Sequence, residues 1–323
     1  MNYNLLLENL TNPALLFYFL GLLAVRLKSD LEIPSNSSKF ISLYLLFSIG
    51  FKGGQELSHS AFSMEILWSL FTGIFLAVIV PVYTFFILRR KMKTQNAGAV
   101  AAAYGSISAV TFVTAISFLE LQSIDFGGHM IAVMALMEAP SIIVGLLLIS
   151  IFEKSNVQRP PFGKVLRHSI TNGSVLLILG SLVIGFLASD EQARGIQPFT
   201  TDIFKGFLAV FLLDMGIVSG RKLNSFFKYG WFVSLFAIVI PLINGVVVAM
   251  ASSWITAEVG NRLLFSILAA SASYIAVPAA MKLAAPKANP SIYIPMALAV
   301  TFPFNITIGM PLYLAIIQWS MGA

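Results

Sequence analysis

The sequence predicts an all-α integral membrane protein with ten transmembrane helices, built from two five-helix repeats that enter the membrane in opposite orientations. Three observations predict this fold class: the composition, the number of apolar stretches, and short motifs that recur in the same order in both halves. Of the 323 residues, 58% are hydrophobic and 11% are charged, and the charged share is roughly half that of a soluble domain. A soluble chain of this length could not bury so much apolar surface.

A transmembrane helix needs about 20 mostly apolar residues, and ten such stretches can be drawn. They cover residues 13–27, 39–54, 65–88, 97–119, 129–152, 171–189, 199–220, 229–252, 262–283 and 292–319. The second stretch is short, and small polar residues interrupt the fourth and the ninth. Because these stretches use up most of the chain, we expect no soluble domain.

The basic residues predict the orientation, because Lys and Arg collect in the cytoplasmic loops of membrane proteins. With the N-terminus outside and the stretches alternating, only Lys52, Arg194, Lys205 and Arg262, out of 20 basic residues, fall on the outer side. We therefore expect a multi-pass protein of the cell inner membrane with both termini outside. The net charge of +6 reflects this topology and does not indicate a nucleic-acid partner.

Five pairs of short motifs recur in the same order, about 160 residues apart. The pairs are Leu20-Gly21 with Leu179-Gly180, Gly50 and Gly54 with Gly216 and Gly220, Ala77 to Pro81 with Ala237 to Pro241, Ser106 and Ser108 with Ser271 and Ser273, and Met134 and Pro140 with Met296 and Pro303. Five spans is an odd number, so the second repeat must be inverted, which is typical of secondary transporters. We expect the first repeat at 1–155, a short cytoplasmic linker at 156–170 and the second repeat at 171–323.

The fourth and ninth stretches each carry a pair of serines near the bilayer midplane. Gly105 weakens the first of these helices, and Pro278 removes a backbone donor from the second. A broken helix at that depth persists only inside protein or beside a water-filled cavity, and its free N–H groups attract an anion. Tight helix packing is the alternative explanation for such small residues. The candidate anion-binding residues are Gly105, Ser106, Ser108, Ser271, Ala272 and Ser273.

Two carboxylates fall inside predicted spans, where an unpaired charge costs several kcal/mol. Glu138 precedes Pro140, and backbone carbonyls that the proline leaves free could join it around Na⁺ or a shared proton. Asp214 lies beside the Gly216 motif, and it either has a functional role, caps a short helix, or pairs with Arg221 or Lys222.

The tenth stretch places Thr301, Asn305 and Thr307 beside Pro303. These side chains either bond the backbone of a kinked helix or line the site opposite Glu138. The sequence thus predicts a set of sodium-binding residues, namely Ser108, Thr111, Glu138, Ser273, Thr301 and Asn305.

The chain contains no Cys, which excludes disulfides, thiolate nucleophiles and Cys-ligated metals. The three histidines lie far apart in sequence, and no phosphate-binding glycine loop or nucleophile elbow occurs. We therefore expect no enzyme activity and no cofactor, with Na⁺ serving as a coupling ion.

Several motifs resemble the sodium-dependent bicarbonate transporter family of cyanobacteria, the SbtA type. They are Ala272 to Ala280, Ala288 to Tyr293, Thr301 to Thr307, Phe211 to Gly216, Met137 to Pro140, and the polar run around Ser106 and Ser108. The resemblance implies a core domain of spans 3–5 and 8–10, and a gate domain of spans 1, 2, 6 and 7. It also implies that bicarbonate and Na⁺ bind where the two helices break, that the core moves past the gate in an elevator-like step, and that the protein is a homotrimer. A PII-like regulatory protein at the cytoplasmic face is a further implied partner.

Two features depart from that family. The loop from Phe152 to Asn172 is shorter than the family's cytoplasmic linker, and Glu138 and Asp214 exchange Asp and Glu relative to the family pattern. Despite these departures, the resemblance, the two helix breaks and Glu138 together predict Na⁺-coupled symport of bicarbonate. Three alternatives stay open: a Na⁺- or H⁺-coupled carrier of another small anion such as a carboxylate, a Na⁺/H⁺ exchanger, or a membrane receptor or scaffold that transports nothing.

Overall fold

The structure, a computed structural model, describes residues 7, 9–60, 63–153, 171, 173–226 and 229–322, and this part of the chain is helical without a strand. The helices in chain order are α1 Pro13–Arg26, α2 Ser35–His59, α3 Met64–Leu88, α4 Thr94–Gly105, α5 Ala109–Leu121, α6 His129–Phe152, α7 Gly173–Leu187, α8 Asp190–Gln197, α9 Phe204–Phe226, α10 Trp231–Ala251, α11 Val259–Ala270, α12 Ala276–Ala284 and α13 Pro290–Ser320. The predicted linker at 156–170 lies outside the described residues.

Six helical stretches in the described ranges are long and apolar enough to cross a membrane. They are Met64–Leu88, Thr94–Leu121, His129–Phe152, Asp190–Leu223, Trp231–Trp254 and Pro290–Ser320. In the most apolar part of Thr94–Leu121, 89% of the residues are buried, against 39% in Met64–Leu88. The stretch made of α4 and α5 therefore lies inside a bundle whose periphery includes α3, as expected of a multi-pass membrane protein.

The interruptions in the fourth and ninth stretches lie at the serines, as the sequence predicts. Gly105 is the last residue of α4, and the chain is extended at Ser106 and Ser108 before α5 begins. In the ninth stretch, α11 ends at Ala270 and α12 begins at Ala276. Pro278 does not make this break. It lies in the first turn of α12, where a missing N–H costs nothing because that N–H has no helical acceptor.

Two details of the helices differ from the sequence analysis. Pro140 does not break α6, which runs on through it, although its missing N–H leaves the Leu136 carbonyl without the usual helical donor. The short helix α8 was not predicted. It begins with a capping box in which Ser189 and Gln192 satisfy each other's backbone N–H groups.

Two pairs of helices pack closely through glycine. A methyl group at Gly50 would meet the Ser181 side chain of α7 at 2.9 Å, and one at Gly54 would meet the Phe186 nitrogen at 2.6 Å. In the same way, a methyl group at Gly216 of α9 would lie 3.1 Å from the α carbon of Gly21 in α1. Only glycine allows these backbones to approach so closely.

α13 is a continuous helix with two wide turns. Its π-helical segments cover Met296–Thr301 and Asn305–Gly309, on either side of Phe302–Phe304. Pro303 and Pro311 lack the N–H that regular α-helical bonding needs, so the turns widen around them. This distortion turns Thr301 and Asn305 toward the two breaks.

Candidate functional site

The two helix breaks are hydrogen-bonded to each other. The Ser273 backbone N–H donates to the Ala103 carbonyl at 2.8 Å, and the Ser108 N–H donates to the Ser271 hydroxyl at 3.2 Å. Residues more than 160 positions apart thus meet at one point. This contact brings together three of the predicted anion-binding residues, Ser108, Ser271 and Ser273.

Each break is followed by a short helix whose first turn is capped by a predicted serine. The Ser108 hydroxyl accepts a bond from the Thr111 N–H at 3.2 Å at the start of α5. The Ser273 hydroxyl accepts one from the Val277 N–H at 3.4 Å at the start of α12. Ser108 is the N-cap of α5, whereas Ser273 lies two residues before Ile275, the N-cap position of α12. The remaining N–H groups of both first turns carry the positive end of the helix dipole.

One cavity of about 30 Å³ lies between the two helix starts. It is lined by Ser42, Leu46, Ile107, Ser108, Ala109, Val110, Glu138, Ser174, Ser273, Tyr274, Ile275 and Ala276. Residues at the start of α5, residues at the start of α12 and Glu138 therefore line the same space. A volume of this size exceeds what a single water molecule needs.

Three polar atoms in and around the first break are buried without a hydrogen-bond partner in the described part of the chain: the Glu138 Oε1, the Thr111 Oγ1 and the Ser106 Oγ. Of these residues, Glu138 lines the cavity. Buried polar groups in native proteins are nearly always satisfied, and exceptions call for an explanation such as an ion or water. All three are oxygen atoms, the donor type that hard cations prefer.

The other two predicted anion-site residues are backbone positions. A methyl group on Gly105 would lie 2.6 Å from the Pro81 ring and 2.7 Å from the Ser141 hydroxyl, so glycine is required there. Ala272 is buried between the two serines of its break. Both positions contribute shape to the site.

Thr301 and Asn305 lie beside the site, and their polar atoms are already engaged. The Thr301 hydroxyl donates to the Ala237 carbonyl at 2.7 Å and lies 2.8 Å from the Tyr104 hydroxyl. The Asn305 amide donates to the Ala270 carbonyl at 2.8 Å. Thr307 bonds the Pro303 carbonyl of its own helix at 2.7 Å, which is the kinked-helix alternative for this residue.

Asp214 does not line the cavity, and it has a partner that the sequence analysis did not consider. Its carboxylate accepts a hydrogen bond from Ser38 in the first turn of α2. Arg221, one of the two predicted partners, contacts Glu32 at 3.4 Å and also interacts electrostatically with Asp214. The Asp214 carboxylate thus lies at the start of α2 and accepts a hydrogen bond there, where negative charge is favourable.

Sequence reasoning missed several residues of the site. Ser42 and Ser174 line the cavity from α2 and α7, and Tyr274 lines it from the second break. Ser141 donates to the Ala102 carbonyl at 2.7 Å at the end of α4. The signal for Ser141 was its position directly after Pro140, whereas isolated serines such as Ser42 and Ser174 carry no signal in a single sequence.

A larger cavity, of about 350 Å³, lies at the far ends of α2 and α5. Lys52 and Glu120 form an ion pair of 2.7 Å across it, and Glu56 and Asp125 also line it. Three carboxylates against one ammonium group make this cavity unsuited to an anion.

Comparison with known proteins identifies the family of the chain but no individual relative. No curated protein matches the chain. Residues 13–318 match the family model of the Na⁺-dependent bicarbonate transporter superfamily, and since this match spans nearly the whole sequence, the chain belongs to that superfamily.

Proposed function

We propose that this protein is a secondary active transporter that carries bicarbonate and Na⁺ together across the cell inner membrane by an elevator-like movement. The observation that supports it best is a single cavity that the starts of two half-helices and one buried carboxylate line together. The superfamily is one of membrane transporters, so the chain is not an enzyme.

In this proposal the anion binds between the starts of α5 and α12. Residues of both helix starts line the cavity, and the free N–H groups of a helix start are suited to an anion because they lie at the positive end of the helix dipole. The hydroxyls that add to them belong to Ser106, Ser108, Ser271 and Ser273. Gly105 and Ala272 allow the backbone to come close.

The cation binds on the Glu138 side of the same cavity. The unpartnered oxygens of Glu138 and Thr111 are its first ligands, and the hydroxyls of Ser108 and Ser273 complete the shell. Thr301 and Asn305 act only indirectly, because their polar atoms are already engaged and their hydrogen bonds hold α4 near its end and the end of α11.

Coupling follows from electrostatics. The Glu138 carboxylate repels an anion in the same cavity, and a cation between the two removes that repulsion. Binding of Na⁺ therefore raises the affinity for bicarbonate, and by reciprocity bicarbonate raises the affinity for Na⁺. A carrier with this property transports the two ions together.

The movement in the proposal separates two groups of helices that share the cavity wall. Ser42 and Leu46 of α2 and Ser174 of α7 line one side, and residues of α5, α6 and α12 line the other. Glycine allows close packing of α2 against α7 and of α9 against α1. In both pairs the second span of one half packs against the first span of the other half, as expected for two repeats related by symmetry. We therefore propose ten spans in two inverted repeats, with α1, α2, α7 and α9 in the gate and the remaining spans in the core.

The proposal includes three features of the assembly that come from the family resemblance and the basic residues. Both termini face outward, three copies form a homotrimer, and a PII-like protein regulates transport at the cytoplasmic face. The short linker at 156–170 would limit that contact.

Uptake of radiolabelled bicarbonate into proteoliposomes at alkaline pH tests the function. We expect uptake under an inward Na⁺ gradient and none under an equal choline gradient. Equal uptake in both would overturn Na⁺ coupling, and competition by small carboxylates would reveal a different cargo. Proton movement driven by Na⁺ alone would indicate an exchanger, and absence of any flux would indicate a receptor or scaffold.

A further inference from the structure

The end of α11 has two carbonyl groups that the helix itself cannot satisfy. In a continuing helix the Ser273 N–H would bond the Ala269 carbonyl, but it bonds Ala103 of α4 instead. The last carbonyls of a helix need partners from elsewhere when they are buried. At α11 these partners are side chains from two other helices.

Two asparagines supply the missing donors. The Asn244 amide of α10 donates to the Ala269 carbonyl at 3.0 Å, and the Asn305 amide of α13 donates to the Ala270 carbonyl at 2.8 Å. Both side chains are at least nine-tenths buried. The break that leads to Ser271 and Ser273 thus begins at two carbonyls held by amides.

A tyrosine hydroxyl lies beside the Oδ1 of each amide, as a full donor to Asn244 and as a shared donor to Asn305, because Tyr313 bonds the Pro241 carbonyl more closely. The Tyr83 hydroxyl donates to the Asn244 Oδ1, and the Tyr313 hydroxyl lies 3.4 Å from the Asn305 Oδ1 and 3.1 Å from the Pro241 carbonyl. A hydroxyl donor at Oδ1 forces the NH₂ group toward the carbonyl and prevents a flip that would put two acceptors face to face. Four side chains from three helices therefore form two Tyr–Asn pairs that converge on one helix end.

We propose that the Tyr83–Asn244 and Tyr313–Asn305 pairs are positioning residues that set the affinity of the site for its anion. This inference rests on the proposed function. The pairs hold the end of α11, and that end fixes the Ser271 hydroxyl against the Ser108 N–H. The first cation ligands, Glu138 and Thr111, lie on α6 and α5. Of the proposed cation shell only Ser273 belongs to the break that the pairs hold, so the pairs act mainly on the anion.

The inference is tested with Asn244→Leu and Asn305→Leu, which keep the side-chain size and remove the amide, and with Tyr83→Phe and Tyr313→Phe, which keep the amide and remove only its orienting donor. Three quantities are measured: the half-saturating bicarbonate concentration at saturating Na⁺, binding of ²²Na⁺ without bicarbonate, and the thermal midpoint in detergent. Asn261→Leu is the matched control, because Asn261 is a buried asparagine on α11 at its opposite end.

We expect the Leu variants to raise the half-saturating bicarbonate concentration about ten-fold and the Phe variants about two- to five-fold, as the loss of one buried hydrogen bond predicts. Binding of ²²Na⁺ should change less than about two-fold, and Asn261→Leu should leave the bicarbonate value unchanged.

An unchanged bicarbonate value in the Phe variants and in any folded Leu variant would overturn the inference. The inference would also be overturned if Na⁺ binding and the thermal midpoint fell together with the bicarbonate affinity, because a purely structural role predicts that all three are lost. A wild type without Na⁺-dependent uptake would instead overturn the proposed function, and this inference with it.

Discussion

Glu138 is a buried carboxylate whose surroundings favour a bound cation. It is buried to 6% exposure, and its Oε1 has no hydrogen-bond partner in the described residues. An isolated carboxylate in such a place is costly unless it is paired. A cation bound in the adjoining cavity removes that cost.

Replacing Glu138 by Gln tests this at the residue scale. Gln keeps the size and one carbonyl oxygen but removes the charge, so a charged contact of about 1.5–3 kcal/mol is lost. We expect the Na⁺ concentration for half-maximal bicarbonate uptake to rise at least about ten-fold, and Glu138→Ala to abolish Na⁺-dependent uptake while the protein still reaches the membrane. Na⁺ dependence that is unchanged in proteoliposomes would remove Glu138 from the cation site.

Asp214 is the matched buried carboxylate, and we expect the opposite result there. An Asn side chain can still accept the hydrogen bond from Ser38, so uptake by Asp214→Asn should stay within about two-fold of wild type. Ser38→Ala should lower the thermal midpoint, because the Asp214 carboxylate then loses its partner. A complete loss of uptake in Asp214→Asn would show that its charge takes part in transport.

Among individual residues, the sequence predicts type and depth but not partners. Ser106, Ser108, Ser271 and Ser273 could be singled out because hydroxyls are costly at the midplane and these recur in both halves. Nothing in a single sequence distinguished Asn244 as a helix cap, because its partner carbonyl lies 25 positions away on another helix.

At the scale of elements, glycine decides which helices touch. Gly50 and Gly54 bring α2 against α7, and Gly216 brings α9 against α1. The sequence predicts these motifs as packing surfaces, but it does not show which helix each one faces.

A pair of alanine substitutions tests this packing. In Gly216→Ala the added methyl group meets the Gly21 α carbon at 3.1 Å and the backbone of Tyr18, and overpacking of this kind costs about 1–3 kcal/mol. Gly180→Ala meets nothing within 4 Å and should be neutral or stabilise by about 0.4–1 kcal/mol. Thermal unfolding in detergent compares the two. Equal midpoints would show that α1 and α9 do not pack as described.

At the scale of the whole molecule, the ion pair between Lys52 and Glu120 joins α2 to α5. In the proposed mechanism these helices belong to the gate and the core, so the pair must separate during each cycle. Gln55, also on α2, bonds the Ala188 carbonyl at 2.9 Å, and both of these residues belong to the gate.

The absence of Cys from the chain allows a clean test by cross-linking. We expect a reversible bifunctional thiol reagent to stop uptake by Lys52→Cys/Glu120→Cys and a reductant to restore it. The control is Gln55→Cys/Ala188→Cys, whose cross-link should leave uptake within about two-fold, since no relative movement of the gate helices is required. Full activity in the cross-linked Lys52→Cys/Glu120→Cys protein would contradict movement of α5 past α2.

The sequence by itself determined that this is a helical membrane protein of the Na⁺-dependent bicarbonate transporter superfamily, and where two of its helices break. These properties are local: apolar length, residue type and motif are all read along the chain. The tertiary structure alone decided that the two breaks touch, that Glu138 shares their cavity, that Asp214 serves α2, and that two Tyr–Asn pairs hold the end of α11. Each of these is a contact between segments far apart in sequence, and such contacts arise because buried polar groups must find partners on whichever helix packs beside them.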